Sequence, residues 1–171
     1  MSTAPPSGER RTVFEGKLIS VEVVEGRYRE IVHHPGACAA VPLIGDDVLL
    51  VRQFRDAVGE TLLEVPAGVR DVEGEAIADC AAREVLEETG YRVTHIEPLG
   101  SVFTSPGFAD EGIDLFLAHV EPNPGQDAED EIELVRMPLA AAVAAVHDGR
   151  IKDAKSAVAI LLAAARADGG S

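Results

Sequence analysis

Read as a helix, the stretch IADCAAREVLEETGY, residues 77–91, is apolar on two sides at once, and its acids fall where one of the apolar stripes was running. Residues advance about 100° each along a helix, so Glu84, Glu87 and Glu88 at i, i+3 and i+4 share one face. Seven residues before them stand Ile77, Cys80 and Ala81, which makes the acids the continuation of an apolar stripe. The opposite side carries Ala78, Ala82, Val85 and Leu86, leaving mainly Asp79 and Arg83 for water. The spacing therefore predicts a helix from about 75 to 89, enclosed on two sides, closed by Gly90, with its acidic end opening into a pocket. A solvated acidic stripe, with Arg83 paired four residues on to Glu87, is the plainer alternative, and the heptad arithmetic counts against it. Carboxylates partly withdrawn from water need a counter-charge. Clustered oxygen ligands suit Mg²⁺ or Mn²⁺, and the absence of histidine from this stretch argues against zinc.

Around this helix the chain is rich in strands. From about 12 to 65, short β-branched runs (TVFEG, LISVEVVEG, YREIVHH, ACAAVPLI, VLLVRQF, TLLEVP) alternate with turn residues at Gly26, Pro35–Gly36 and Gly45–Asp46. The loop AGVRDVEG leads into the helix; strands resume with YRVTHIEPLGSVFT and GIDLFLAHV, and two Ala-rich helices follow at about 138–148 and 154–167. The outline is a mixed sheet packed with helices, α+β or α/β/α. No internal repeat or linker divides the chain, so residues 1–11 are expected as a flexible tail and 12–168 as a single domain. The formal net charge of −15 repels nucleic-acid backbones and anionic membranes unless cations intervene. The longest apolar run, AVAILLAAA, is far shorter than the roughly 20 residues that span a bilayer, and the first residues do not resemble a secretory signal. Neither nucleic acid nor membrane is an expected partner, and the expected location is cytoplasmic. Cys38 and Cys80 lie in apolar surroundings without metal or redox spacing and read as reduced core residues.

The run PAGVRDVEGEAIADCAAREVLEETGY resembles the Nudix box of the Nudix hydrolases: Glu75, seven residues, then Arg83-Glu84-Val85-Leu86-Glu87-Glu88-Thr89-Gly90-Tyr91. One departure stands out, because six residues rather than five separate Gly68 from Glu75. The resemblance implies a Nudix-type α/β/α sandwich with a mixed sheet and an N-terminal antiparallel sheet, α+β in class. It implies Glu84 and Glu88 as the main ligands of Mg²⁺ or Mn²⁺. Glu87 would be a further ligand or position a water, Arg83 would orient the glutamates by salt bridge, and Glu75 would support the loop or an additional cation. The carbonyl of Ala67 could complete the coordination. A pyrophosphate is a polyanion whose attacking water needs activation, and divalent ions both neutralise the phosphate and lower the pKa of the water.

Outside the box, FTSPGFADE at 103–111 and LLVRQFRDAVGETLLEVPAG at 49–68 resemble the ADP-ribose pyrophosphatase branch. The resemblance implies hydrolysis of ADP-ribose, a nucleoside-diphosphate-sugar, with Ser105, Gly107 and Glu111 near the terminal ribose and Arg55 on the pyrophosphate. A simple Pro-Gly turn, and an Arg55 paired with Glu60 or Asp56, are the plainer readings of the same residues. The acidic run 127–133 is where the branch would supply its general base, Glu129 first and Glu131 second. The five histidines carry no zinc or nucleophile spacing and read as structural or exposed. The adenine would stack on a residue of the N-terminal strands, Tyr28 or Ile19. By resemblance the N-terminal strands, 12–36, serve a homodimer in which Arg27 or Arg29 faces the neighbour's substrate. Another nucleotide-sugar, a dinucleotide or an oxidised nucleotide is the alternative substrate, and a non-catalytic nucleotide-binding module the alternative of a different class.

Overall fold

The computed structural model describes residues 8–26, 29–126, 128 and 132–169. A small antiparallel sheet comes first, in the order β1 (Arg10–Glu15), β2 (Ser20–Val24), β3 (Arg29–His33). A larger mixed sheet follows, built from β4 (Ala37–Ile44), β5 (Asp47–Arg55), β6 (Glu60–Glu64), β7 (Ala67–Val69), β8 (Tyr91–Phe103), β9 (Gly112–Pro122) and β10 (Glu133–Pro138). Its path runs β10-β5-β4-β9-β8, with β6 paired to β5 and β7 to β4. Helix α1 (Ile77–Thr89) lies between β7 and β8 in the chain, and α2 (Leu139–His147) and α3 (Ala154–Gly169) close it.

Strand β4 explains the layering. Its sequence ACAAVPLI is apolar at every position, as a strand buried on both faces must be. With a side-chain period of two, Ala37, Ala39, Val41 and Leu43 face one way, where they pack with Ile113, Leu115, Ala142, Ala159 and Ile160. Cys38 and Ala40 face the other way and pack with Cys80, Ala81, Val85, Phe116 and Ala118. Helix α1 thus covers one face of the sheet and α2 and α3 the other, the α/β/α arrangement expected from sequence. Each large side chain fully buried in these layers, such as Leu50, Leu115 and Ile160, contributes on the order of 2 kcal/mol.

The differences from the sequence reading are local. The tail was expected to reach residue 11, yet β1 begins at Arg10; residues 1–7 lie outside the described residues. Residues 67–69, read as loop, form β7 against Ala37–Ala39. The end of the acidic run, with the residues after it, forms β10, an edge strand paired along Asp47–Arg52, and Glu133 pairs with Arg52 at 2.6 Å. Helix α1 starts at Ile77, two residues later than expected, and ends on Gly90 at φ 73°, the left-handed position that favours glycine. Among the described residues no helix is long and apolar enough to cross a membrane.

Candidate active site

The site is assembled where β7 crosses the start of β4 under α1. Gly68 is the centre of β7, opposite Cys38. A Cβ placed on Gly68 would lie 1.9 Å from Cδ of Glu84 and 2.2 and 2.3 Å from its carboxylate oxygens. Only a glycine here leaves the Glu84 carboxylate where it stands, directly above the strand. This gives a physical account of the six-residue spacing. Gly68 keeps its place against Glu84, and the additional residue lies in the connection to α1, which turns through amide bonds from Asp71 to the Val69 carbonyl (3.0 Å) and from Glu75 to the Val72 carbonyl (3.2 Å).

The acids of α1 face inward to different depths. Glu88 is 7% exposed and accepts a bond from the Ala67 amide at 3.3 Å. The Glu84 side chain is 14% exposed and that of Glu87 42%. Arg83, which the helical projection had turned to water, is folded over this group instead. It donates to Glu84 at 2.6 Å, to Glu87 at 3.2 Å, and through Nε and Nη2 to Glu75 at 3.1 and 3.2 Å. The Arg83 guanidinium holds the Glu75 carboxyl below its ordinary range. Glu84 moves the opposite way: burial raises its pKa above the ordinary carboxylate value, and the opposing charge and hydrogen bonds of Arg83 do not cancel that, with Glu87 and Asp71 adding to the rise. A carboxylate that remains destabilised beside an arginine marks a place short of positive charge.

That observation tests the fit of a divalent cation. The donors are oxygens throughout, they are partly desolvated, and Arg83 does not offset the burial of Glu84, which suits a hard divalent ion. Among the described residues no three Asp, Glu, His or Cys side chains converge on one coordination point, since Glu84 and Glu87 are both drawn to Arg83.

Ala67, Gly68 and Val69 also form one wall of a cleft of about 750 Å³ that brings in Arg55, Ser105, Glu111 and Lys155. Arg55 has a partner the sequence reading did not consider. Rather than Glu60 or Asp56 it grips Glu64 with two bonds of 2.8 Å. Glu64 is 1% exposed and also holds Lys155, which bonds Asp153 at 2.9 Å. Burial works to raise the Glu64 carboxyl, but Arg55 and Lys155 outweigh it and leave the pKa below the ordinary value. Two cations lining the cleft are thus fixed by a single buried anion. Nearby, Ser156 donates to Asp153 and receives the Val65 amide, tying α3 to the β6–β7 connection.

Elsewhere in the cleft lining, residues 105–109 make the tight turn that Pro-Gly suggested, with the Phe108 and Ala109 amides donating to the Ser105 carbonyl. The turn is docked on β3 by the Val32 amide to the Phe108 carbonyl at 2.7 Å and the Asp110 amide to the Val32 carbonyl at 3.1 Å. Thr104 donates to Glu111 at 2.6 Å. His33 ties the small sheet to the β8–β9 connection: Nδ1 is 2.5 Å from Asp110 and Nε2 is 3.1 Å from Glu22 within the sheet. The bond to Asp110 raises the His33 pKa and lowers that of Asp110. Gly107 is absent from the lining of the cleft, and so is Arg29, an exposed residue paired with Val24 at the start of β3. Glu129 and Glu131, like Arg27 and Tyr28, lie outside the described residues. Ile19 lines a smaller recess with Phe108 and His34.

A family model for the NUDIX domain matches residues 33–158. The chain belongs to the Nudix family. It is 36% identical over 163 residues to an ADP-ribose pyrophosphatase of Bacillus subtilis (strain 168), 88% of either chain being covered. It is 38% identical over 144 residues to a GDP-mannose pyrophosphatase of Cronobacter sakazakii (strain ATCC BAA-894), covering 76% of this chain and 74% of that one. A solved structure described as an ADP compounds hydrolase superposes with a TM-score of 0.81 at 23% identity over 99% of both chains, which establishes the shared fold. In this Nudix fold, sequence reasoning missed Glu64, Lys155 and His34 as parts of the cleft. A charged residue inside the apolar run TLLEVP was the available signal for Glu64; nothing local marked the other two.

Proposed function

We propose that the protein hydrolyses the pyrophosphate of ADP-ribose to AMP and ribose 5-phosphate. The observation that carries this reading is the single cleft joining three groups: the β7 segment that abuts Glu84 and Glu88, the Arg55–Glu64–Lys155 cluster, and Ser105 with Glu111. The ADP-ribose pyrophosphatase and GDP-mannose pyrophosphatase relatives support a nucleoside-diphosphate-sugar as the substrate class. Glu84, Glu87, Glu88 and the Ala67 carbonyl would hold Mg²⁺ or Mn²⁺. Such an ion, when bound, neutralises phosphate charge and lowers the pKa of the attacking water.

The chain's own residues do the rest. Arg55 presents a fork-shaped donor to phosphate oxygens, and its bidentate bond to Glu64 fixes the plane of that fork before substrate arrives. Arg83 spreads one positive charge over Glu75, Glu84 and Glu87, which holds mutually repelling acids close together. Glu111 accepts bonds from sugar hydroxyls, and Ser105 lines the same cleft. Water forms a new P–O bond, the bridging P–O bond breaks, and the departing phosphate takes the electron pair. A carboxylate of the acidic run, Glu129 or Glu131, takes the water's proton. Nothing in this reading gives Gly107 more than a turn position. The N-terminal strands serve a homodimer, with Arg29 toward the neighbour's substrate, and the protein works in the cytoplasm.

The experiment is a rate panel with the purified protein and Mg²⁺ or Mn²⁺, in which ADP-ribose yields AMP and ribose 5-phosphate in equal amounts. GDP-mannose or an oxidised nucleoside triphosphate cleaved far faster than ADP-ribose would displace this substrate in favour of its rivals.

A further inference from the structure

Every histidine of this chain reads from sequence as structural or exposed, yet His34 is neither remote from the cleft nor open to bulk water. Its side chain is 10% exposed, and it lines the main cleft together with Thr104, Ser105 and Glu111. Its position is fixed twice. The His34 amide donates to Asp110 at 2.9 Å, and ring atom Nδ1 accepts the Gly36 amide at 3.1 Å. A neutral imidazole that accepts at Nδ1 carries its proton on Nε2, so the backbone selects the tautomer. No described residue bonds Nε2 of His34, and none of the reaction steps above uses it.

The surroundings decide what Nε2–H is for. Glu111 lies 3.7 Å from Nδ1, with one carboxylate oxygen already receiving the Thr104 hydroxyl and the other left to accept. A fixed anion beside His34 repels a phosphate, whereas the cations that attract phosphate, Arg55 and Lys155, are gathered about Glu64. A donor on Nε2 of His34 and an acceptor on Glu111, both residues lining the same cleft, match a sugar diol, because each hydroxyl can both give and receive a hydrogen bond. We propose that His34 is a substrate-binding residue whose Nε2–H donates to a hydroxyl of the terminal sugar while Glu111 accepts from its neighbour. This inference rests on the pyrophosphatase reading and extends it to the basis of sugar selection. Burying a polar donor that an incorrect ligand leaves unpaired is the strongest way such a site discriminates.

Two isosteric variants separate the donor from the structural bond. In His34→Asn the side-chain oxygen takes the place of Nδ1 and still receives the Gly36 amide, but nothing reaches the position of Nε2. In His34→Gln the amide nitrogen replaces Nε2 and the Nδ1 acceptor is lost. The readout is inhibition of ADP-ribose hydrolysis by ribose 5-phosphate, which carries the sugar, and by ADP, which ends at its phosphate. His34→Asn should raise the inhibition constant of ribose 5-phosphate about tenfold and leave that of ADP within about twofold, while His34→Gln keeps both within about threefold of wild type. Equal weakening of both inhibitors in His34→Asn, or of neither, would overturn the role of His34 while wild-type turnover of ADP-ribose leaves the functional reading standing. Wild-type protein that does not hydrolyse ADP-ribose at all would overturn both. If His34→Asn fails to fold, long-range ¹H–¹⁵N spectra of wild-type histidines decide: the Nε2 resonance of His34 should move with ribose 5-phosphate and not with ADP, and an unmoved resonance refutes the contact.

Discussion

Replacing Gly68 by alanine isolates the contact on which the site depends. The backbone at Gly68 is not in the left-handed region, so alanine meets no torsional penalty, and the loss of unfolded-chain freedom favours the variant by about 0.4–1 kcal/mol. The added methyl would sit 1.9 Å from Cδ of Glu84, against about 3.4 Å for ordinary contact, so one of the two must move by about 1.5 Å. Strand β7 is held by its pairing with β4, whereas the Glu84 carboxylate is the free end of a flexible side chain; the carboxylate gives way. An off-rotamer Glu84 costs about 0.5–1.5 kcal/mol, which the backbone gain largely offsets. Stability should therefore change by less than about 1 kcal/mol. Catalysis is less forgiving: a displacement of this size at a charged group of the site predicts a loss of about 100-fold or more in kcat. AMP release from ADP-ribose, measured beside a thermal melt of the same sample, tests both halves. A variant that turns over like wild type, or one that unfolds, refutes the reasoning.

Two further outcomes follow from the buried anion and the histidine bridge. Glu64→Gln leaves Arg55 and Lys155 without their shared counter-charge and should cost about 2–3 kcal/mol, below the range for a fully buried pair because the Arg55 side chain is 39% exposed. An unchanged urea midpoint would contradict that. His33 has a folded pKa above its ordinary 6.5, so the stability it contributes is fully present below that value and is lost as pH rises through the raised one. Asp110 and Glu22 are lowered from 3.8 and 4.5, so their contributions are present above those values and lost as pH falls through the folded ones. The tie between β3 and the β8–β9 connection is therefore strongest between about pH 4.5 and 6.5 and weakens as pH rises through the raised His33 pKa. Melting curves from pH 6 to pH 9 should show a decline that Asp110→Asn flattens, and parallel profiles for the two proteins would remove the bridge from the account.

Helix α1 and strand β4 were legible because their signals are local. Periodicity placed Glu84, Glu87 and Glu88 on the inward side of α1, and an apolar run between turn residues marked β4 as a strand. What escaped depended on partners far away in the chain. Three residues carry too little pattern to announce β7, whose identity comes from pairing with Ala37–Ala39 thirty residues earlier. All of β10 was hidden by the charges of the run before it, although Leu134, Val135 and Met137 pack against the core. The parallel pairing of β4 with β9, Ala37 opposite Ile113 through Leu43 opposite His119, has no local signature at all. Glu64 and Lys155 are ninety-one positions apart, so neither residue could name the other from sequence. His34 carries no zinc or nucleophile spacing to mark it, since its setting is a backbone amide two residues on and a carboxylate far along the chain.

The central claim is that the inward acids of α1 serve hydrolysis rather than mere solubility or passive nucleotide binding. Replacing Glu84 and Glu88 together by glutamine preserves shape and removes two like charges from one helix face, so the fold should survive. The measurement is the single-turnover rate of AMP formation from ADP-ribose with saturating Mg²⁺, beside the melting temperature of the same variant. The expected result is a folded protein whose rate falls by several orders of magnitude. A folded variant that cleaves ADP-ribose at the wild-type rate would contradict it.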